Sequence, residues 1–213
     1  MSASQLPVFH VTDTVVPSVA GKTLVMPFNK GGVSNERTVE LEHIKSLIPT
    51  EIASDLKTLI AECVADGSFS ADTKEKYVLR VPNTSNCGYK HVVLVGTGSK
   101  SADNNQTFKD IGKQLFTLSK DLKAPHLDLL LSSEPEIHSI LLGVEDASYD
   151  DKRYKGSQSR GEGSSSSSKV LESLSFINIP TELVSSVSEL VSRQQLISVG
   201  VHIAKDLVGK CIN

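Results

Sequence analysis

The sequence predicts an α/β fold, a largely parallel or mixed sheet with helices on both faces, followed by a long C-terminal helix. Two observations carry this. Short apolar runs alternate with amphipathic segments of helical period through the first 155 residues, the pattern of a layered α/β domain. A helical pattern then occupies the chain from Thr181 almost to its end. Strand, helix, strand, helix in this order favours a largely parallel or mixed sheet with helices on both faces.

Taken in order, Lys22–Phe28 (KTLVMPF) reads as the first strand, broken by Gly31-Gly32. A helix fits Glu51–Ala65. Thr50 can cap it, Ile52, Leu56, Leu59, Ile60 and Cys63 share a face, and Gly67 ends it. Tyr77–Val81 and His91–Val95 are two further strands, connected through the turn-rich Asn83–Gly88. The next helix spans Phe108–Leu122 and offers Phe108, Ile111, Leu115, Phe116, Leu118 and Leu122 for burial; Pro125 stops it. His126–Leu131 is a short strand. A helix follows from Pro135, a residue suited to the first helical position, after a cap at Ser133 or Glu134.

Beyond Lys155 the composition changes. Gly156–Ser168 (GSQSRGEGSSSSS) supplies no core residue and reads as a flexible loop or spacer. Val170–Ile179 is strand-like. Thr181 then caps a helix over Glu182–Val208, about 40 Å long at about 1.5 Å per residue. Leu183, Val187, Leu190, Ile197, Val201, Ala204 and Val208 form one apolar stripe of it, interrupted by Gln194. The outer part, Ile197, Val201, Ala204 and Val208, is expected to be under-packed or exposed in this chain.

Composition narrows the function classes. Apolar residues at 38% and charged ones at 22% describe an ordinary globular chain. At 213 residues it can bury roughly 70% of the surface its unfolded form exposes, so no disulfide or metal staple is needed. The 22 basic and 25 acidic residues leave a net charge of −3, which gives no support to a nucleic-acid partner. Cys63, Cys87 and Cys211 are too widely spaced for a zinc motif and odd in number, as expected of reduced thiols in a cytosolic protein. Met1–His10 lacks the basic flank and apolar core of a signal peptide. The aliphatic runs Val92–Val95 and Leu129–Leu131 fall far short of the ~20 residues that cross a bilayer. A soluble protein without a membrane partner is expected.

Chemistry-bearing patterns are few. Gly96-Thr97-Gly98 follows one predicted strand and precedes a helix, where α/β folds cradle phosphates on backbone N–H groups. The third glycine of a dinucleotide fingerprint falls at Ser101, however, and a P-loop's Gly-Lys-Ser/Thr ending is missing. A tight structural turn is the favoured expectation, with Gly96, Thr97 and Gly98 kept as weak phosphate-loop candidates. His10, His43, His91, His126, His138 and His202 show no metal-ligand spacing, and no Gly-x-Ser-x-Gly elbow occurs. Asp150-Asp151, beside Lys152 and Arg153, read as a solvated charge cluster.

Three segments together resemble the N-terminal part of the leucyl aminopeptidases, peptidase family M17. Lys90–Gly98 (KHVVLVGTG) is similar to a central strand and glycine turn of that family. Leu141–Lys155 (LLGVEDASYDDKRYK) resembles its pattern of Leu-Gly, aromatic, acid, Arg, aromatic and Lys, here Leu142, Gly143, Tyr149, Asp151, Arg153, Tyr154 and Lys155. Gly200–Gly209 (GVHIAKDLVG) is similar to the helix leading into the family's catalytic domain, with Ala204, Lys205, Asp206, Leu207 and Val208 in the matching places.

The resemblance implies a three-layer fold like that of macro domains over residues 1–155, a Ser/Gly-rich linker at 156–168, a completing strand at 169–179 and a connector helix with its tail at 180–213. It implies that the intact protein is a cytoplasmic homo-hexamer that removes N-terminal residues such as leucine from peptides. The family's catalytic domain holds two divalent ions (zinc, manganese or magnesium). Its Asn-Thr-Asp-Ala-Glu-Gly-Arg type segment has no counterpart here, because the chain reads Lys210-Cys211-Ile212-Asn213 and stops. No catalytic or metal-binding residue carries over, no cofactor is expected in this chain, and it should be inactive alone, as a fragment or short form would be. Its natural partner is then the family's catalytic domain. The alternatives are a stand-alone macro-like module binding ADP-ribose or another nucleotide, and a regulatory partner of a full-length aminopeptidase.

Overall fold

The computed structural model describes residues 6–13, 22–30, 54–81, 89–99, 104–131, 133–149 and 171–211. Six strands form one sheet: β1 (Val8–Val11), β2 (Lys22–Asn29), β3 (Lys76–Arg80), β4 (Tyr89–Gly98), β5 (His126–Leu130) and β6 (Ser173–Ile177). Four helices join them: α1 (Ser54–Ala65), α2 (Asn104–Leu122), α3 (Glu134–Ser148) and α4 (Thr181–Cys211). The spatial strand order is β1-β6-β5-β2-β4-β3. All neighbours run parallel except β3, which pairs antiparallel with β4 at the edge. The sheet is therefore mixed, as expected.

Strand alternation divides the core into two layers. On one face Leu24, Met26, Val92, Leu94 and Leu79 meet Ile60 and Cys63 of α1. On the other, Val25, Val93, Leu127 and Phe176 meet α2, α3 and the start of α4 through Ile111, Leu115, Ile140, Val187 and Val191. The central strands bury both faces, which explains near-continuous apolar runs such as Val92–Val95. One carboxylate is admitted. Asp128 lies 2% exposed in β5, bonded by Lys22 Nζ at 3.3 Å and by the Tyr89 hydroxyl at 3.1 Å, as a buried charge requires.

Helix ends follow local chemistry. Gly67 takes a left-handed φ of 78° just past α1. At α3 the cap position falls to Ser133, in extended backbone, with Pro135 in the first turn. Glu134 and Glu136 set their charge against the positive end of the helix dipole.

The expectations missed β1. Its four residues run along a sheet edge with alternating partial exposure, too short a signal to separate from loop. The strand expected over Val170–Ile179 shrinks to β6. On the last helix the outer part of the stripe is exposed as expected, but Gln194, expected to interrupt the stripe, lies on the buried line. That line is Val187, Val191, Gln194, Ser198 and His202, while Ile197, Ala204 and Val208 are exposed and Val201 is half-buried. Several expectations lie outside the described residues: Gly31-Gly32, the Thr50 cap, Asn83–Gly88 with Cys87, Ser101, Asp150–Lys155 and Gly156–Ser168.

Candidate functional site

Gly96-Thr97-Gly98, expected as a tight turn, are instead the last residues of strand β4, paired with β2 across a register shift, and their polar groups are used within the chain. Gly96 N–H donates to the Glu75 carbonyl (2.8 Å) and Gly98 N–H to that of Ala71 (3.0 Å). The Thr97 hydroxyl donates to the Phe28 carbonyl at 3.0 Å. The segment Ala71–Glu75 fills the space a phosphate would need. A Cβ at Gly96 would stand 2.0 Å from the Asp72 carbonyl oxygen, and one at Gly98 2.1 Å from Thr73 Oγ1. These glycines permit backbone-to-backbone approach, and Gly98 also supplies a φ of 74°. The filling segment is itself pinned: Glu75 accepts from Ser70 N–H and Asp72 N–H, and Asp72 pairs with Lys30. Hydrogen bonds from Lys30 and Ser70 hold the Asp72 carboxyl below the usual carboxylate range.

The second cluster sits where the end of α3 meets the outer half of α4. Glu145, 7% exposed, accepts from Gln194 Nε2 at 2.8 Å and from Ser198 Oγ at 2.9 Å. One turn along, the Ser148 hydroxyl lies 3.4 Å from His202 Nε2. Tyr149, just past α3, donates to Asp206 Oδ1 (3.2 Å), stacks obliquely on His202 at 5.4 Å and lies under the Lys205 ammonium at 4.9 Å. Two segments picked out separately by family resemblance thus form one contact, Tyr149 against Lys205 and Asp206.

The reverse side of that helix is apolar. Leu196 is 76% exposed, Ile203 and Leu207 are each 55% exposed, and Ile197, Val199 and Val208 accompany them. Between Gln195 and Val208 the charged residues are Lys205 and Asp206, both engaged with Tyr149. The outer face over roughly 18 Å of helix therefore carries no charge.

Of the histidines, His91 and His126 lie in strands, as expected, and burial with Lys90 and Arg80 nearby pushes the His91 imidazole below its ordinary range. Among the described residues no three His, Cys, Asp or Glu side chains converge as metal ligands. They do not fit the pair of ions that the resemblance implies for the intact enzyme. Nor is any helix among them long and apolar enough to cross a membrane.

The described residues form a mixed α/β sheet domain whose last helix presents an apolar face. The match to a family model is specific: the cytosol aminopeptidase family N-terminal domain covers residues 39–158, more than half the chain. The chain belongs to that family. A mutant of tomato leucine aminopeptidase has a similar fold, with a TM-score of 0.63 and 19% identity over 97% of this chain. The chain spans 39% of that enzyme's length. A mutant macrodomain of Oceanobacillus iheyensis aligns at 11% identity and a TM-score of 0.47, over 86% of this chain and 90% of its own, too distant to bear on ligands. No curated protein matches the chain in sequence.

Proposed function

We propose that the chain serves as a non-catalytic N-terminal domain that seats against the catalytic domain of a cytosol aminopeptidase through the outer face of α4. The observation that carries this is the apolar outer face of α4 formed by Leu196, Val199, Ile203 and Leu207, held outward by a polar seam. Rolling α4 to bury Leu196 and Ile203 would break the bonds of Gln194 and Ser198 to Glu145, stranding a buried carboxylate at a cost of about 3 kcal/mol or more. The seam thus keeps an interaction surface presented.

In this proposal the intact assembly is a cytoplasmic hexamer that releases N-terminal residues such as leucine. The catalytic domain of that assembly would hold two divalent ions (zinc, manganese or magnesium), which would supply Lewis-acid chemistry there and not in this chain. The present domain shapes assembly and access. Co-expression with a catalytic domain of the family tests this. The two should co-purify, and Ile203→Glu with Leu207→Glu should abolish the association; retention by the double variant would refute α4 as the seat. The chain alone, supplied with manganese or zinc, should leave a leucine anilide uncleaved.

The nucleotide-module alternative draws less support, because the N–H groups of Gly96 and Gly98 are committed to Glu75 and Ala71. ADP-ribose should leave the melting temperature unchanged. A ligand present at about 100 times its Kd would instead add about 2.7 kcal/mol of stability.

A further inference from the structure

Helix α2 is held tightly to α3. A Cβ on Gly112 would stand 2.3 Å from the Ile140 carbonyl oxygen, and one on Gly143 2.0 Å from that of Lys109. The helices cross at backbone contact, which only glycine permits. Held beside α3, α2 leaves edge strand β3 partly bare on this face. Tyr77 and Leu79 turn toward α1, whereas Val78 turns the other way and is 40% exposed. A cavity of about 240 Å3 opens between β3, β4 and α2.

Its floor is Val93 and Val95, and its wall is Ile111, Leu115 and Leu118. At the rim stand Lys74 and Lys76 on the sheet side and Gln114 and Thr117 on the helix. Lys74 Nζ reaches Asp110 Oδ2 at 3.3 Å and Lys76 Nζ reaches Asp121 Oδ2 at 3.4 Å. These pairs strap α2 to β3 on either side of the opening. Lys74 is fixed by a left-handed φ of 71° and by donating its N–H to the Gly96 carbonyl at 3.3 Å.

We propose that this cavity binds a small monocarboxylate with an apolar body, its chain against Val93, Val95 and Leu115 and its carboxylate between the Lys74 and Lys76 ammoniums. The volume lies below the range of roughly 300–1,000 Å3 that takes drug-sized ligands or nucleotides, so the body is short. The walls offer no polar partner, so an apolar chain is required there. The charge follows from the rim, where both sheet-side groups are cations and their acidic partners, Asp110 and Asp121, are on α2 outside the lining. Each strap is a single contact, with Lys74 63% and Lys76 49% exposed. Exchanging an aspartate for a ligand carboxylate therefore costs little. This inference is independent of what covers α4.

Methyl-resolved NMR of the whole chain, titrated with sodium hexanoate, tests the proposal. The methyls of Ile111, Leu115, Val93 and Val95 should shift saturably with a midpoint on the order of 1 mM, as expected for about eight non-hydrogen atoms. Lys74→Gln with Lys76→Gln should weaken hexanoate about fivefold, with methyl dispersion across the rest of the chain showing that the fold persists. Neutral hexanamide should bind both forms alike. Absence of saturation up to about 50 mM, or shifts confined to Ile203 and Leu207, would overturn the site. Unchanged hexanoate affinity in the double variant would overturn carboxylate recognition.

Discussion

In its first turns α4 buries Val187 and Val191 in the apolar layer beside Phe176 and Ile137, whereas beyond Gln194 it buries Gln194, Ser198 and His202 and turns leucine, isoleucine and valine outward. One helix thus docks by two chemistries. Apolar contact is non-directional and tolerates small rotations of the helix about its axis. Hydrogen bonds to Glu145 do not, because a missed donor or acceptor in a buried place costs more than a made one gains. The inner half supplies adhesion, and the outer half supplies the rotational setting. Under the proposed function that setting has a purpose, since an apolar strip offered to a partner must stay out of its own core.

The largest effect should come from the adhesive half. Val187→Asp would bury an unpaired charge and remove about 4 kcal/mol of stability, read as the shift in urea unfolding. A loss under about 1 kcal/mol would mean that the first half of α4 is not integral to the domain.

Glu145→Leu should cost less, about 2 kcal/mol, by leaving Gln194 and Ser198 without their acceptor. Adding Gln194→Leu and Ser198→Ala should recover most of that loss, because removing every partner together removes the unsatisfied groups. No recovery would show that packing volume, and not hydrogen bonding, sets the seam. The smallest effect belongs to the outer strip. Ile203→Glu or Leu207→Glu should change the stability of the isolated chain by no more than about 0.5 kcal/mol while reducing its self-association in sedimentation experiments. A large loss of stability there would mean that the face is buried after all.

Much of this architecture was legible. The apolar runs at Lys22–Phe28 and His91–Val95, Pro125 after α2 and Gly67 after α1 each carry a local cause that sequence displays. The inner line of α4 was not, because hydrophobic periodicity assumes that the buried face is the apolar one. The deciding group, Glu145, lies 49 residues from Gln194 in the chain. Gln194 looked like a gap in a stripe and is instead an anchor. The glycine turn failed in a similar way. Gly96–Gly98 read as a tight turn, with a phosphate cradle the weaker candidate. The structure instead makes them the end of β4, with Ala71–Glu75, remote in sequence, packed against them.

The crossing of Gly112 with Gly143 also has a mechanical consequence. At that crossing no side-chain layer separates the two backbones, so α2 and α3 are expected to move together there. Glu145 and Tyr149, where α4 is anchored, lie on or just past α3, within roughly 9 Å of that crossing along the axis. Ile111 and Leu115, which wall the cavity, flank it on α2. A displacement of the outer half of α4 when a partner seats would reach the cavity wall as lever travel, with little lost to repacking on the way.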